Sequence, residues 1–270
     1  MLQTPIKKFN RFIVTKSVFF LPKERRLDIE RRHRGWEQYR KLRKSDCAVA
    51  SYGNSGRTWL RVMISRFYQA RYGFDKPRLI NFDNFHRRNA SIPVMFFTHD
   101  NFIKDYTGNV DTKADFYGCR TVLLVRNPAD VSVSQYFQWQ HRMKREKKAL
   151  NRFPPHGSEC DLYSFVMRPE SGLPRIIDFL NVWADDMDNL QDLLVVRYEE
   201  LVSKTAEAAD DLARFADLEW CPNVEQFVRE LPLSRTTVST PAREKWRQLL
   251  CEEIARLSET LSPTMTEIGY

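Results

Sequence analysis

Four apolar runs, each five or six residues long, punctuate the chain at 47–51, 94–98, 120–125 and 193–197. They are built mostly from small, β-branched or aromatic side chains and lack the polar alternation of a half-exposed strand. That pattern predicts strands covered on both faces. Between them the spacing changes. Leu60, Met63, Ile64 and Phe67 recur on one side of a 3.6-residue period and predict a helix over 56–71. Similar patterns predict helices over 129–149, 174–190, 205–216 and 244–261, the last with a stripe of Trp246, Leu249, Leu250, Ile254 and Leu257. Alternating strands and helices predict an α/β fold, a single domain with a central parallel β-sheet flanked by helices on both faces. Ligands of such sheets bind beyond the carboxyl ends of the strands. Residues 72–92, 150–172 and 231–242 read as excursions from this scheme.

Composition narrows the picture. With 270 residues and 42% hydrophobic content, the chain can bury one substantial core. No window approaches the roughly 18 apolar residues of a membrane span, and the patch from Ser17 to Leu21 is too short and has no cleavage site after it. Five scattered cysteines form no C-x-x-C pair, which predicts reduced thiols and a cytoplasmic setting. The net charge of +8 is confined to one end. Residues 1–46 carry 14 Lys and Arg against 5 Asp and Glu, and the remainder nets −1. We therefore divide the chain into a basic N-terminal arm, 1–46, and a domain, 47–270. The arm, with Trp36 and Tyr39 among its cations, suits a solvated helix or an anionic lipid surface at the inner face of the membrane; nucleic acid has the smallest weight.

Candidate chemistry concentrates where the first strand ends. Ser51-Tyr52-Gly53-Asn54-Ser55-Gly56-Arg57-Thr58-Trp59-Leu60 passes from strand through a glycine turn into a helix start. Such a turn lets successive N–H groups converge with the positive end of the helix dipole, which makes an anion cradle. Arg57 adds a full charge. A standard ATPase loop has four residues between its glycines followed by lysine. Here two residues separate Gly53 from Gly56 and Arg57-Thr58 follows, which argues against γ-phosphate chemistry. A second strand-to-helix junction carries Arg126, Pro128 and, eight residues after the arginine, Ser134. A guanidinium at a strand end and a hydroxyl on the adjoining helix can grip one phosphate together.

These segments resemble the sulfotransferase family that uses 3′-phosphoadenosine-5′-phosphosulfate (PAPS). Tyr52 to Trp59 is similar to its Tyr-Pro-Lys-Ser-Gly-Thr-Thr-Trp loop, Arg126 to Ser134 to its Arg-Asn-Pro-Lys-Asp-Val-x-Val-Ser motif, and Val195 to Leu201 to its strand ending in Tyr-Glu-Asp-Leu. The resemblance spans roughly 47–270 and implies a P-loop NTPase-like sulfotransferase fold. It implies that Asn54, Ser55, Gly56, Arg57 and Thr58 hold the 5′-phosphate, that Arg126 and Ser134 hold the 3′-phosphate, that Trp59 stacks on adenine and that Tyr198 touches the base edge. PAPS is then the co-substrate and PAP the product. His99 closes the second strand where the family carries Lys-Thr-His, and its ordinary pKa near 6.5 suits proton abstraction. No histidine or cysteine spacing suggests a metal site.

Two departures stand out: the family's loop lysine is Asn54, and the lysine two before the histidine is Phe97. Arg57, or Lys104 from the next turn, is the expected source of the missing charge. The family's C-terminal Arg-Lys-Gly is absent too, with Arg235, Arg243 and Lys245 near enough to replace it. The acceptor is expected to be a small molecule, a glycan or a glycolipid, in a pocket made by 72–92, 100–118 and the basic stretch 141–148. A nucleotide-dependent kinase and a non-catalytic PAPS- or PAP-binding protein are the alternatives.

Overall fold

A computed structural model describes residues 18–74 and 78–203. Its centre is a four-stranded, all-parallel sheet in the order β2-β1-β3-β4. The strands are β1 (Cys47–Ser51), β2 (Met95–Thr98), β3 (Arg120–Val125) and β4 (Leu193–Arg197), within one residue of the apolar runs. Val94 falls outside β2 yet is not idle: its N–H donates to the Asp46 carboxylate at 2.7 Å and its carbonyl accepts from Asp46 N–H. The Asp46 side chain thus pins the start of the β1–β2 pair.

Alternate residues of each strand feed two cores, one on each face. Val49, Val122, Leu124 and Val196 pack with Leu60, Met63, Ile64 and Tyr68 of α2 (Arg57–Tyr72), and with Ile80, Phe85 and Ile92 from the following excursion. Ala48, Ala50, Leu123 and Val125 pack on the other face with Ile103, Phe116, Val131, Ile176, Leu180 and the fully buried Trp183. Two-sided burial is why the strands read as unbroken apolar runs.

Two expected helices end early, each for a visible reason. The pattern over 129–149 resolves into α4 (Pro128–His141) and α5 (Arg145–Leu150). Between them Arg142 and Met143 both donate to Gln138 O, and Met143 turns inward beside Trp139 and Phe165. The pattern over 174–190 gives α7 (Leu173–Ala184) and then a single 3₁₀ turn at Met187–Asn189. There the Asp186 carboxylate accepts from Lys113 N, the Thr112 and Tyr117 hydroxyls and the Asn189 amide, a set of bonds that a continuing helix would not place together. The short helices α3 (Ile103–Thr107), α6 (Leu162–Val166) and α8 (Tyr198–Ser203) complete the set. The expected helices at 205–216 and 244–261, the excursion at 231–242 and the candidate basic residues Arg235, Arg243 and Lys245 lie outside the described residues.

Within the basic N-terminal segment, α1 (Lys23–Leu42) packs against this body. Gly35 is the point of closest approach: a Cβ there would lie 2.1 Å from the carbonyl oxygen of Phe102, so only glycine lets α1 seat on the start of α3. Arg31 is buried in the contact, donates to Leu150 O at 2.6 Å and pairs with Asp105 at 3.0 Å. The outer side of the helix leaves Arg25, Arg32, Trp36 and Arg40 exposed. Among the described residues no helix is long and apolar enough to cross a membrane.

Candidate active site

The carboxyl ends of β1, β2, β3 and β4 deliver four segments to one place. After β1, Asn54 (φ 68°) and Gly56 (φ 91°) both adopt left-handed backbone, which curls the loop before α2 begins at Arg57. Glycine is required at 56 for a second reason. A Cβ there would lie 2.3 Å from the ring of Tyr198, which packs over the loop from the end of β4. Arg126, buried at the end of β3, donates to Asn54 O at 3.0 Å, and its guanidinium lies 4.5 Å from the Tyr198 ring centroid. Asn127 caps α4 by accepting from Ala129 N–H, with Pro128 in the first turn. The Asn127 N–H in turn donates to Glu199 at 3.0 Å. Three distant sequence segments are therefore locked together around one loop.

Of the other candidates, Ser55 and Ser134 are buried, the latter on the inner side of α4, and Thr58 is exposed. Trp59 is buried within the first core face, and its indole N–H has no partner among the described residues.

His99 follows β2 and meets the loop directly. Its Nδ1 lies 3.1 Å from Ser51 O, and a carbonyl can only accept, so Nδ1 carries the proton. Nε2 therefore presents its lone pair, and Arg57 Nη2 donates to it at 2.7 Å. Burial, and then the charge of Arg57, push the His99 pKa down to about 3. Burial, and then Arg61, lower that of Arg57 to about 10. The next residue, Asp100, adopts left-handed backbone at φ 50°, and its carboxylate holds the buried Lys113 ammonium at 2.6 Å. That pair fixes the chain immediately beside the histidine.

Next to Gly53, Asn54 and His99 opens a cavity of about 410 Å³. Its walls come from 99–104, 110–113, 135–153 and 169–182, with Arg31 of α1 also reaching it. The expected contribution from 72–92 is a correction: the described part of that segment packs Ile80 and Phe85 onto α2 and supplies no lining residue. Sequence reading also missed Gln135, Arg175 and Asn181 as lining residues. Arg175 had a usable signal, since Gly172-Leu173-Pro174-Arg175 marks a helix start and helix starts ring the ligand end of such sheets.

The sulfotransferase domain family matches residues 44–236. The chain belongs to that family. Among solved structures it is similar to mouse sulfotransferase SULT7A1 complexed with PAP, at 16% identity over 73% of this chain and 70% of that one, with a TM-score of 0.46. No curated protein matches it.

The sulfotransferase loop of this chain fits an oxyanion on its own geometry. Asn54 Nδ2, Arg57 Nη1 and Arg126 Nε are buried donors with no partner among the described residues. An unpaired buried polar group costs about 1–3 kcal/mol, so three donors converging on one loop favour a ligand rich in acceptor oxygens. Phe97, which stands where the family has a lysine, offers no charge. Arg61 lies over its ring, with Nε and Nη2 both donating to Ile80 O.

Proposed function

We propose that the protein transfers the sulfuryl group of PAPS to a hydroxyl or amine of an acceptor, with His99 as general base. The contact that supports this best is the one between Arg57 and His99. It joins the anion loop to a histidine whose tautomer already presents the correct lone pair. PAPS would supply the electrophilic sulfur and leave as PAP. In this reading the orphaned donors of Asn54 and Arg57, the buried Ser55 and the start of α2 hold the 5′ side. Arg126 and Ser134 hold the 3′-phosphate, Trp59 and Tyr198 serve the adenine, and Thr58 adds a hydroxyl at the loop rim. Negative charge at the loop draws Arg57 away from Nε2. That movement removes a neighbouring positive charge, raises the His99 pKa toward its ordinary value and frees Nε2 to take the acceptor proton. Arg57 then stabilises charge developing on the leaving oxygen, the role given to lysine elsewhere in the family.

Calorimetry with PAP tests the nucleotide half. Tight binding without Mg²⁺, lost in Arg126→Ala, is expected, and stronger binding of ATP than of PAP would point to the kinase alternative. Incubation with labelled PAPS and a membrane extract tests transfer. Label that stays on the nucleotide despite tight PAP binding would favour the non-catalytic binder, which the asparagine at position 54 keeps in view. The exposed cations of α1, together with exposed Phe19, Phe20 and Trp36, support cytoplasmic peripheral contact with anionic lipid. Co-sedimentation with phosphatidylserine vesicles checks that contact.

A further inference from the structure

The acceptor cavity holds more positive charge than the proposed reaction uses. Six cations line it. Two are neutralised in place: Arg31 by Asp105, and Lys113 by Asp100. Arg152 is exposed to solvent, and the other three cations fall into two groups. Lys147 stands on the loop side, where desolvation and then Arg57 lower its pKa, and in the proposed reaction it is assigned to the sulfuryl donor. Lys104 and Arg175 form the second group on another wall. The charged ends of both lack any ion-pair or hydrogen-bond partner among the described residues. Desolvation, followed by the charge of Arg175 and then Lys113, lowers the Lys104 pKa. Arg175 also stands in the first turn of α7, where no acidic residue offsets the positive end of the helix. Lys104, set beside a second cation in a recess and only partly offset by Asp100 and Asp105, carries an electrostatic cost that a bound anion would reverse.

The same cavity carries unpaired acceptors. Gln135 is 5% exposed, and among the described residues its Oε1 has no partner; Asn181 Oδ1 is likewise buried and unpartnered there. Both line the space, and each could take an O–H or N–H from a ligand. Asp111, Glu170 and Asp178 are also on its walls, so the site has both signs and is not simply an anion sink.

Resting on the sulfotransferase reading, we infer that the acceptor is a polyhydroxylated compound bearing an anionic group of its own. Lys104 and Arg175 bind its carboxylate, phosphate or sulfate, and Gln135 and Asn181 accept from its hydroxyls. This gives the unpaired cations and the unpaired amide oxygens of the cavity one common ligand, and it selects an acidic sugar over a neutral phenol.

The test uses the full chain saturated with PAP, so that the nucleotide side is already filled. Methyl glucuronide and methyl glucoside serve as matched probes, differing in one carboxylate, and calorimetry is run at constant ionic strength. The glucuronide is expected to bind at least about tenfold more tightly, the usual worth of one hydrogen-bonded charge. That preference should disappear in the Lys104→Gln/Arg175→Gln double variant and partly return in Arg175→Lys. As a probe independent of sugar shape, sodium sulfate should raise the Tm of the PAP complex relative to an equal ionic strength of sodium chloride, and should fail to do so in the double variant. Equal affinity for the two glycosides, a preference kept in the double variant, or no response to either probe would overturn the inference. PAP affinity is measured in every variant. A parallel loss there would move the two cations to the nucleotide and overturn it as well. Failure of the wild type to bind PAP at all would instead refute the sulfotransferase reading.

Discussion

Arg57 is expected to silence His99 until the donor arrives, and the size of that effect can be worked from the pair. The His99 pKa sits at about 3 against an ordinary 6.5. A gap of about 3.5 units corresponds to about 5 kcal/mol of preference for the neutral ring, at about 1.4 kcal/mol per unit. Burial is the larger cause and Arg57 the next. Replacing Arg57 with methionine removes the charge, leaves the burial and should raise the pKa without restoring it to 6.5. Proton NMR of the histidine ring resonances checks this, with His99→Gln assigning the signal. Between about pH 4 and pH 8 the wild-type resonance should stay flat, whereas that of Arg57→Met should begin to move at the acid end. Saturation with PAP should shift the wild type in the same direction. Turnover of Arg57→Met should fall by about 10²–10³, the usual loss when one donor to a developing oxyanion is removed. A flat His99 resonance in Arg57→Met, or wild-type turnover, would refute the reasoning.

The same depression makes stability depend on pH. The unfolded chain protonates this histidine near 6.5 and the folded chain only near 3, so the folded state binds fewer protons in between. His99 therefore costs stability as pH falls through that window, and denaturant titrations at several pH values should show a shallower loss in His99→Gln. Gly56→Ala forces a methyl group into the Tyr198 ring and onto a left-handed backbone; it should weaken PAP binding sharply, and Tyr198→Ala should partly relieve the steric half of that defect. Gly35→Ala should destabilise the fold by about 1–3 kcal/mol, visible as a lower Tm, because the obstacle is the backbone carbonyl of Phe102, which cannot swing aside. Trp183→Ala should cost about 3–5 kcal/mol, since the side chain is fully buried between Phe116 and Phe179.

The sheet was legible in the sequence because two-sided burial leaves an uninterrupted apolar run, a strong local signal. The cradle was legible for a similar reason: a left-handed turn needs glycine, and the helix after it announces itself by spacing. The break at Arg142 was hidden because Met143 continues the apolar period while serving a different core. The end of α7 was hidden because it depends on Asp186 reaching Lys113 and Tyr117, some 70 residues away in the chain. The cavity walls were the hardest part. Gln135, Arg175 and Asn181 are ordinary helix residues until the sheet brings their helices around one opening, and no local spacing encodes that meeting. The pairing of Arg57 with His99 shows the same limit at closer range, since each motif was visible while their contact was not.

Arg31 gives the basic helix a mechanical role besides its charge. One guanidinium ties α1 to the end of α5 through Leu150 O and to α3 through Asp105, and both of those elements border the cavity. A tilt of α1 must either break these bonds or drag both walls with it. A load on the outer face of α1 is therefore passed on to the walls of the cavity, as along a single lever.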